Sequence, residues 1–527
     1  MIAAEALSST IETYLAGSRN ALVFEDGATL FDLTRSRYSL SGEHGKCLLH
    51  FWSDERNTVR RVLEAEERKG TLQLTVQRMG QPRPSKLEIC RSLDPRTPTT
   101  RKAARAAYQR QLQRMLERTL PEFRMIHMTT GANLEQSFGP VYARGLLRRG
   151  QAAFAVFGVN AQETQSSIDA SLTFAILWLD LCRKTRANKL HVEGLKLFVP
   201  AGTADLVRAR MAHLNHSAAK WHLYAVNERE DSLVELDCRD RGNIETRLVR
   251  CTDEPAARER FRPAIEEVHA ILPEAETAIL SAGEIAFRHQ GLEFARARWL
   301  PEPGSFRNRN EIVFGLGAEE TALTDHTRER FIHRVHEIAE VRHAEGPRDH
   351  PLFRLHPERW LERLALGNIH ALDKRLDSAC CYSQMPAFSA ADRAMIDILT
   401  ITREGRLAVL ELKAEEDIHL PLQGLDYWSR VAWHHTRGEF QRFGYFPNRE
   451  LSPAAPLLLL IAPALHVHPA TDTLLRYLSP EIDWLLLGID ERWRETLRVI
   501  FRKRPADASV RARVGAGALA CPQGTAA

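Results

Sequence analysis

The sequence predicts a multidomain α/β (α+β) protein whose last domain has a central mixed sheet flanked by helices. Three observations lead there. The chain has 527 residues, too many for one ordinary core, so two to four domains are expected. Strand-sized apolar runs alternate with amphipathic helical stretches along its length. Late in the chain, two apolar strands that carry carboxylates flank a short glycine-containing turn. The composition, 44% hydrophobic and 27% charged, is that of a soluble globular protein. The formal net charge of +4 neither demands nor excludes nucleic acid as a partner. No apolar run reaches the roughly 18 residues that span a bilayer, and the longest, Pro456 to Ala464, is strand-sized. The N-terminus lacks a basic region followed by an apolar one. A cytoplasmic location with no membrane partner is therefore expected. Eight cysteines are scattered without a CxxC pair, which argues against a disulfide framework or a zinc ribbon.

Four segments are expected. Residues 1–130 read as an α/β module. In it Val59 to Glu67 reads as a helix and Thr71 to Gln77 as a strand. Arg101 to Thr119 reads as an amphipathic helix with the apolar stripe Tyr108, Leu112, Met115, Leu116. Arg110, Arg114 and Arg118 repeat on another face of that helix. A solvated face is the simpler account of them, and phosphate binding is the alternative. Residues 131–345 read as a second α/β domain. Its expected strands are Ala152 to Val159, Lys189 to Val199, Trp221 to Val226 and Leu233 to Leu236, and its helices Ser166 to Arg183 and Ala256 to Ile271. It has no glycine-rich phosphate loop. A stretch rich in charge, glycine and proline near Arg342 to His350 introduces the third domain, 346–505. The Ala/Gly-rich tail 506–527 has little to bury and is expected to be disordered.

The chemistry concentrates in the third domain. Met395 to Ile401 is an apolar strand interrupted by Asp397. Leu407 to Lys413 is another, carrying Glu411 and Lys413. Between them, Arg403-Glu404-Gly405 suits a three-residue hairpin loop with a left-handed third position. A hairpin symmetric about Glu404 puts Asp397 directly opposite Glu411, with Cβ atoms about 4.5–5.5 Å apart. Lys413, two residues on, shares their face. Like charges opposed in a strand pair are destabilising, and buried charge is expensive unless compensated. A divalent cation resolves both problems. Hard oxygen ligands suit Mg²⁺, with Mn²⁺ as a substitute. A structural ion pair from Lys413 to the carboxylates is the competing account. Leu420 to His434 reads as a following helix with Gln423 and Tyr427 on one face. Upstream, Pro357 opens a helix in which Leu361, Leu364 and Ala365 form the buried stripe; beside it lie Glu358, which reads as solvated, and Glu362, for which a solvated face and a functional role weigh about equally.

This order of motifs resembles the PD-(D/E)XK nuclease superfamily, and Gln423-Gly424-Leu425-Asp426-Tyr427 is similar to the Gln-x-x-x-Tyr helix of its RecB-like branch. Leu361-Glu362, Ile396-Asp397-Ile398-Leu399 and Leu410-Glu411-Leu412-Lys413 resemble the catalytic domain of NucS-type mismatch and single-strand endonucleases. The likeness covers residues 355–505. Asp392-Arg393-Ala394-Met395 departs from it, since the relatives often carry Gly-Arg there. The resemblance implies a restriction-endonuclease-like fold and Mg²⁺-dependent cleavage of DNA, with RNA not excluded and a homodimer compatible. It further implies that Asp397, Glu411 and the Leu412 carbonyl bind the metal and that Glu362 binds a second ion or a metal water. Lys413 would position the attacking water, and Gln423 and Tyr427 would hold the lysine, the metal shell or the DNA backbone.

Other features read more plainly as structure. Asp169 or Asp180 followed by Glu193-Gly194-Leu195-Lys196 is a stretched version of the same pattern, with one extra residue that puts Glu193 and Lys196 on opposite faces, and a decayed second nuclease copy is the alternative reading there. His466 and His468 could share a strand face, but lack a third ligand. Trp428 and Trp433 suit core packing better than base stacking, and His434-His435 suits a solvated helix end. Two functions of different class follow: a metal-dependent nuclease acting in repair or defence, and a nucleic-acid-binding or assembly protein that keeps the fold without turnover.

Overall fold

The computed structural model describes residues 4–505, except 17–20, 26–27, 34–36, 42–45, 53–56, 69–70, 79–83, 91–97, 132–137, 140, 187–189, 243–245, 302–307, 317–319 and 390–391. The tail expected to be disordered lies outside the described residues. The fold is α+β, with four sheets among the described residues. The chain divides into two compact units, Met1–Arg208 with Ala219–Cys238, and Ala209–Ala218 with Arg239–Ala527. Among the described residues no helix is long and apolar enough to cross a membrane.

In the first unit, helix α1 (Ala4–Ala16) lays Leu7, Ile11 and Tyr14 on a sheet of seven strands, β1–β7, within residues 22–90. Helix α2 (Pro98–Thr119) follows, and its stripe of Tyr108, Leu112, Met115 and Leu116 is buried against Val156 and Phe198. Those two residues belong to a second sheet of six strands: β8 (Arg124–Thr129), β9 (Tyr142–Arg149), β10 (Ala152–Val159), β11 (His191–Pro200), β12 (Lys220–Asn227) and β13 (Ser232–Leu236). Its spatial order is the sequence order. Helices α3 (Gln165–Asp169) and α4 (Ser171–Arg186) join β10 to β11, and α5 (Asp205–Met211) joins β11 to β12.

In the second unit, α6 (Glu254–Arg260) and α7 (Arg262–Ile271) precede a five-stranded antiparallel sheet that includes β15 (Glu284–His289) and β16 (Leu292–Pro301). Then come α8 (Arg328–Val341), α9 (Pro351–Arg354), α10 (Pro357–Gly367) and α11 (Ile369–Leu372). The last sheet holds β19 (Tyr382–Ser389), β20 (Asp392–Ile401), β21 (Leu407–Leu412), β22 (Leu457–Pro463), β23 (Trp484–Ile489) and β24 (Val499–Lys503), again in sequence order. Helices α12 (Leu420–Thr436) and α13 (Glu439–Arg442) lie between β21 and β22, and α14 (Thr471–Arg476) between β22 and β23.

Two contacts set α10 in place. Gly291, in the β15–β16 turn at φ +73°, lies so close to α10 that a Cβ there would sit 2.2 Å from the Arg359 carbonyl. Only glycine allows that approach. Arg342, fully buried at the end of α8, donates to the carbonyls of Leu352, Leu355 and His356 ahead of the helix. Its guanidinium also lies 4.8 Å from the Trp360 ring centroid.

Several expectations need correction. Val59 to Glu67 is not a helix but most of strand β5 (Asn57–Arg68), hydrogen-bonded to a neighbour on each side. Pairing on both edges overrides the helix propensity of Leu63-Glu64-Ala65-Glu66. The two long helices of the middle region are each broken, at Ala170 and at Phe261, the second just before Pro263. The boundary at 130 falls between β8 and β9, which pair with each other. The boundary at 345 cuts a continuous core, in which Phe331 and Val335 of α8 pack in one cluster with Trp360, Leu361, Ile398 and Leu410. His466 and His468 do not share a strand. β22 ends at Pro463, which has no N–H to donate, and a single 3-10 turn, Ala464–His466, follows.

Candidate active site

The hairpin has the register its sequence asks for. Thr402 N–H donates to the Arg406 carbonyl at 2.7 Å, and Gly405 N–H to the Thr402 carbonyl at 2.8 Å. Ile401 pairs with Leu407 and Ile398 with Leu410. One step further in that register, Asp397 faces Glu411. Gly405 has φ +79°, and a Cβ there would meet the Glu450 carbonyl oxygen at 2.2 Å. Gly405→Ala should therefore destabilise the protein by about 1–3 kcal/mol from backbone strain alone. Unchanged urea denaturation would contradict this turn.

Glu411 is 2% exposed. Its Oε1 lies 3.3 Å from Lys413 Nζ, and its Oε2 is buried without a hydrogen-bond partner. Burial, then the nearby Asp397 charge, pushes its carboxyl well above the usual range. Asp397 accepts a 2.9 Å bond from Leu412 N–H at Oδ2, and burial raises its carboxyl too. Lys413 N–H bonds the Ile461 carbonyl, so the strand geometry continues and keeps the ammonium on the carboxylate face. That ammonium also lies 3.7 Å from Glu358 and 3.8 Å from Asp417. Glu358 thus belongs to the cluster, where the sequence left it on a solvated face.

Helix α10 delivers Glu362, 4% exposed, to the other side. Its Oε2 accepts from Arg359 at 3.1 Å and from Gln384 at 2.6 Å. Burial lifts this carboxyl to about 8, against the pull of Arg359 and with the push of Asp397. Gln384 was missed from the sequence. It sits in β19 at φ +50°, strained for a residue with a side chain. Its amide nitrogen spans Glu362 and, at 3.4 Å, Asp397, while its Oε1 is buried and unpartnered. Beside Ser383 in a mixed strand, nothing local in the sequence marked it.

Helix α12 backs the site. Gly424 lets it lie flush on the sheet, since a Cβ there would be 2.5 Å from Leu460 Cδ2 and 3.7 Å from Glu411 Cβ. Tyr427 lines the cleft, its hydroxyl held protonated by burial and the facing carboxylates. Gln423, one turn earlier, has a buried Oε1 without a partner. Arg210, in the segment Ala209–Ala218 that belongs to the second unit, donates two bonds, 2.9 and 2.7 Å, to Asp426 beside Tyr427.

These groups open into a cleft of about 540 Å³ lined by Arg359, Gln384, Asp397, Glu411, Lys413 and Tyr427 among others. A cleft of about 340 Å³ shares His356 and Arg359 with it and carries Arg288 and Arg296. On another side a cleft of about 350 Å³ shares Pro357 and Glu415 and carries Arg348, Arg354, Arg492 and Arg494. The centre is acidic and both flanks are rich in arginine.

Among the described residues no three His, Cys, Asp or Glu side chains stand close enough to hold a metal ion as they are. Glu362 is drawn to Arg359 and Gln384, and Glu411 to Lys413. The donor chemistry nevertheless fits a hard cation: Glu411 Oε2, Gln384 Oε1 and Gln423 Oε1 are buried oxygens with no donor.

Arg110, Arg114 and Arg118 are exposed along α2, and Arg118 bonds the Asp231 carbonyl. Glu193 pairs with Lys220 at 2.7 Å, whereas Lys196 is buried against the Tyr224 hydroxyl at 3.1 Å. Trp428 is core, donating to the Pro456 carbonyl, and Trp433 is half-buried under Arg437. His434 is buried between Glu439 and Thr246 rather than solvated. His466 and His468 face different glutamates, Glu491 and Glu416.

The acid cluster makes a pH prediction. Glu362 has a folded pKa of about 8 against an ordinary 4.5. The folded state therefore holds the proton more tightly. Its contribution to stability is complete below 4.5 and is lost as pH rises through about 8. In chelator, the melting temperature should fall across that window. Glu362→Gln should flatten the fall, and an unchanged slope would remove Glu362 as its source.

No protein-family model, no curated protein and no solved structure matches the chain.

Proposed function

We propose that this protein is a metal-dependent nuclease that hydrolyses phosphodiester bonds in DNA. One observation carries the reading: a buried, opposed pair of carboxylates with an orphaned oxygen and a lysine on the same face, open to a cleft. An unpaired buried acceptor beside an ion pair favours a cation site over a pair that serves structure alone. The order of elements supports the same reading. A helix bears Glu362, a strand Asp397, the next strand Glu411 and Lys413, and the following helix Gln423 and Tyr427. This order is the one that the resemblance to the PD-(D/E)XK nucleases implies for a restriction-endonuclease-like domain.

Asp397, Glu411 and the Leu412 carbonyl would hold Mg²⁺, and Glu362 would reach it through water. A bound Mg²⁺ would supply an activated water and polarise the phosphoryl oxygen. The chain's own residues do the rest. Lys413 places a positive charge where negative charge grows on the phosphoryl group. Gln384 holds Glu362 and Asp397 at a fixed separation. Tyr427 presents a protonated hydroxyl to the cleft. Arg359, shared by two clefts, and Arg494, which lines the third, would contact backbone phosphates on either flank.

The test is cleavage of labelled single-stranded, duplex, mismatched and branched DNA, with RNA counterparts, in Mg²⁺ or Mn²⁺. Cleavage lost with Lys413→Met supports the reading. Binding of these substrates by the wild type without any turnover would favour a nucleic-acid-binding module.

A further inference from the structure

Nothing else matches this chain, but one part of it matches another. The sheet β8–β13 is constructed like the sheet β19–β24. In each, three antiparallel strands lead through a helix, α4 or α12, to a fourth strand parallel to the third. A short helix, α5 or α14, then leads to a fifth parallel strand, and a sixth returns antiparallel at the edge. A helix precedes the first strand in both cases.

The likeness extends to register. Lys220 follows its partner Gly194 by as many residues as Leu485 follows its partner Leu459. The fourth strand ends in a proline in both, Pro200 paired with Val226 and Pro463 with Ile489. A tryptophan stands equally far beyond each proline, Trp221 and Trp484.

This register shows what occupies the catalytic positions of the first sheet. Three residues before each proline stand Leu197 and Leu460. They pair with Phe157 and Glu411. Opposite these on the second strand are Arg144, paired with Phe157, and Asp397. Val159 stands where Lys413 does. Two carboxylates and a lysine are thus replaced by an arginine and two apolar residues. Arg144 is 2% exposed, 4.9 Å from the Phe138 ring centroid and 5.7 Å from that of Trp178, and it donates to the Gly131 carbonyl. Among the described residues no carboxylate pairs with it. A buried guanidinium at that point repels a divalent cation.

We infer that the chain carries two copies of one fold, one with a hydrolytic centre and one from which it has been lost, so that the protein opens one strand of a duplex per encounter. The strand-opening part rests on the nuclease reading above. Each cut is one hydrolysis: water adds across one P–O bond and leaves a phosphate end and a hydroxyl end.

The experiment treats supercoiled closed-circular duplex DNA with excess full-length protein and Mg²⁺, beside a Mn²⁺ titration of the same protein. Nicked circle should form first and linear DNA roughly tenfold or more slowly, because a second cut needs a second encounter. Linear DNA appearing as fast as nicked circle would overturn the inference. So would nicking that survives Asp397→Ala combined with Glu411→Ala. If the wild type cuts nothing, the nuclease reading fails, and the Mn²⁺ titration still decides the status of the first copy. Manganese binding that disappears entirely with Glu411→Ala supports a lost centre in β8–β13. A site that persists in that variant overturns it.

Discussion

Asp397→Ala and Glu411→Ala should each lower cleavage by about a thousandfold or more, the scale on which a preorganised transition-state charge acts. Both should leave the fold intact. In the proposed site the two side chains would serve the same cation from opposed strands, so neither could stand in for the other. The stability effect separates this site from a structural ion pair. In the metal-free protein, burial and then the nearby Asp397 charge push the Glu411 carboxyl up. Removing either partner relieves repulsion between directly opposed groups. In chelator the melting temperature should therefore hold or rise for Asp397→Ala. Glu411→Gln, which preserves volume at a fully packed position, should behave likewise. With Mg²⁺ added, only the wild type should gain stability, because only it has a ligand-binding equilibrium to draw on. Normal cleavage by either alanine variant would remove these residues from the site. A large loss of stability in chelator would make the cluster a structural one.

How much of this was legible in the sequence depended on how local the determinant was. The hairpin register followed from Gly405 and from apolar strands in which a displaced carboxylate would be conspicuous. The face shared by Glu411 and Lys413 followed from strand alternation alone. Gln384 was hidden because its part depends on a positive φ in β19 and on Glu362 arriving from α10, neither of which leaves a local pattern. Glu358 read as solvated because helix periodicity places it beside the buried stripe, and the ammonium that claims it lies far along the chain. Strand β5 was misread because Leu63-Glu64-Ala65-Glu66 has helical propensity, while the pairing that overrides it comes from two other strands. Of a second copy the sequence offers only the stretched pattern around Glu193 and Lys196, which falls on β11 and not on the positions equivalent to Asp397, Glu411 and Lys413. A sheet keeps its topology through apolar burial and turn placement, which many residues satisfy. Once the charged centre is gone, Arg144, Phe157 and Val159 carry no motif by which to find it.

Lys413→Met should separate an enzyme from a binding module. The substitution keeps the apolar stem and removes the charge. Lys413 has three carboxylates within salt-bridge distance, Glu411, Glu358 and Asp417. Burial opposes its charge, but those carboxylates hold its ammonium above the ordinary lysine range, so it stays charged at any working pH. It therefore acts as a fixed positive charge rather than as a base. Such a charge matters most where negative charge develops, on the phosphoryl group in the transition state. Cleavage should fall by about a thousandfold or more, some 4 kcal/mol of transition-state stabilisation. Binding of the same DNA in Ca²⁺ should change little, because one phosphate contact among many is worth about one unit of salt slope. Metal affinity should hold or rise, since a cation beside the ligands has gone. An interaction made only in the transition state affects rate and not binding. In a binding module the same change would weaken DNA binding or lower stability, and no turnover would exist to lose. Single-turnover cleavage measured beside Ca²⁺ binding reports both quantities, and unchanged cleavage by Lys413→Met would sink this mechanism.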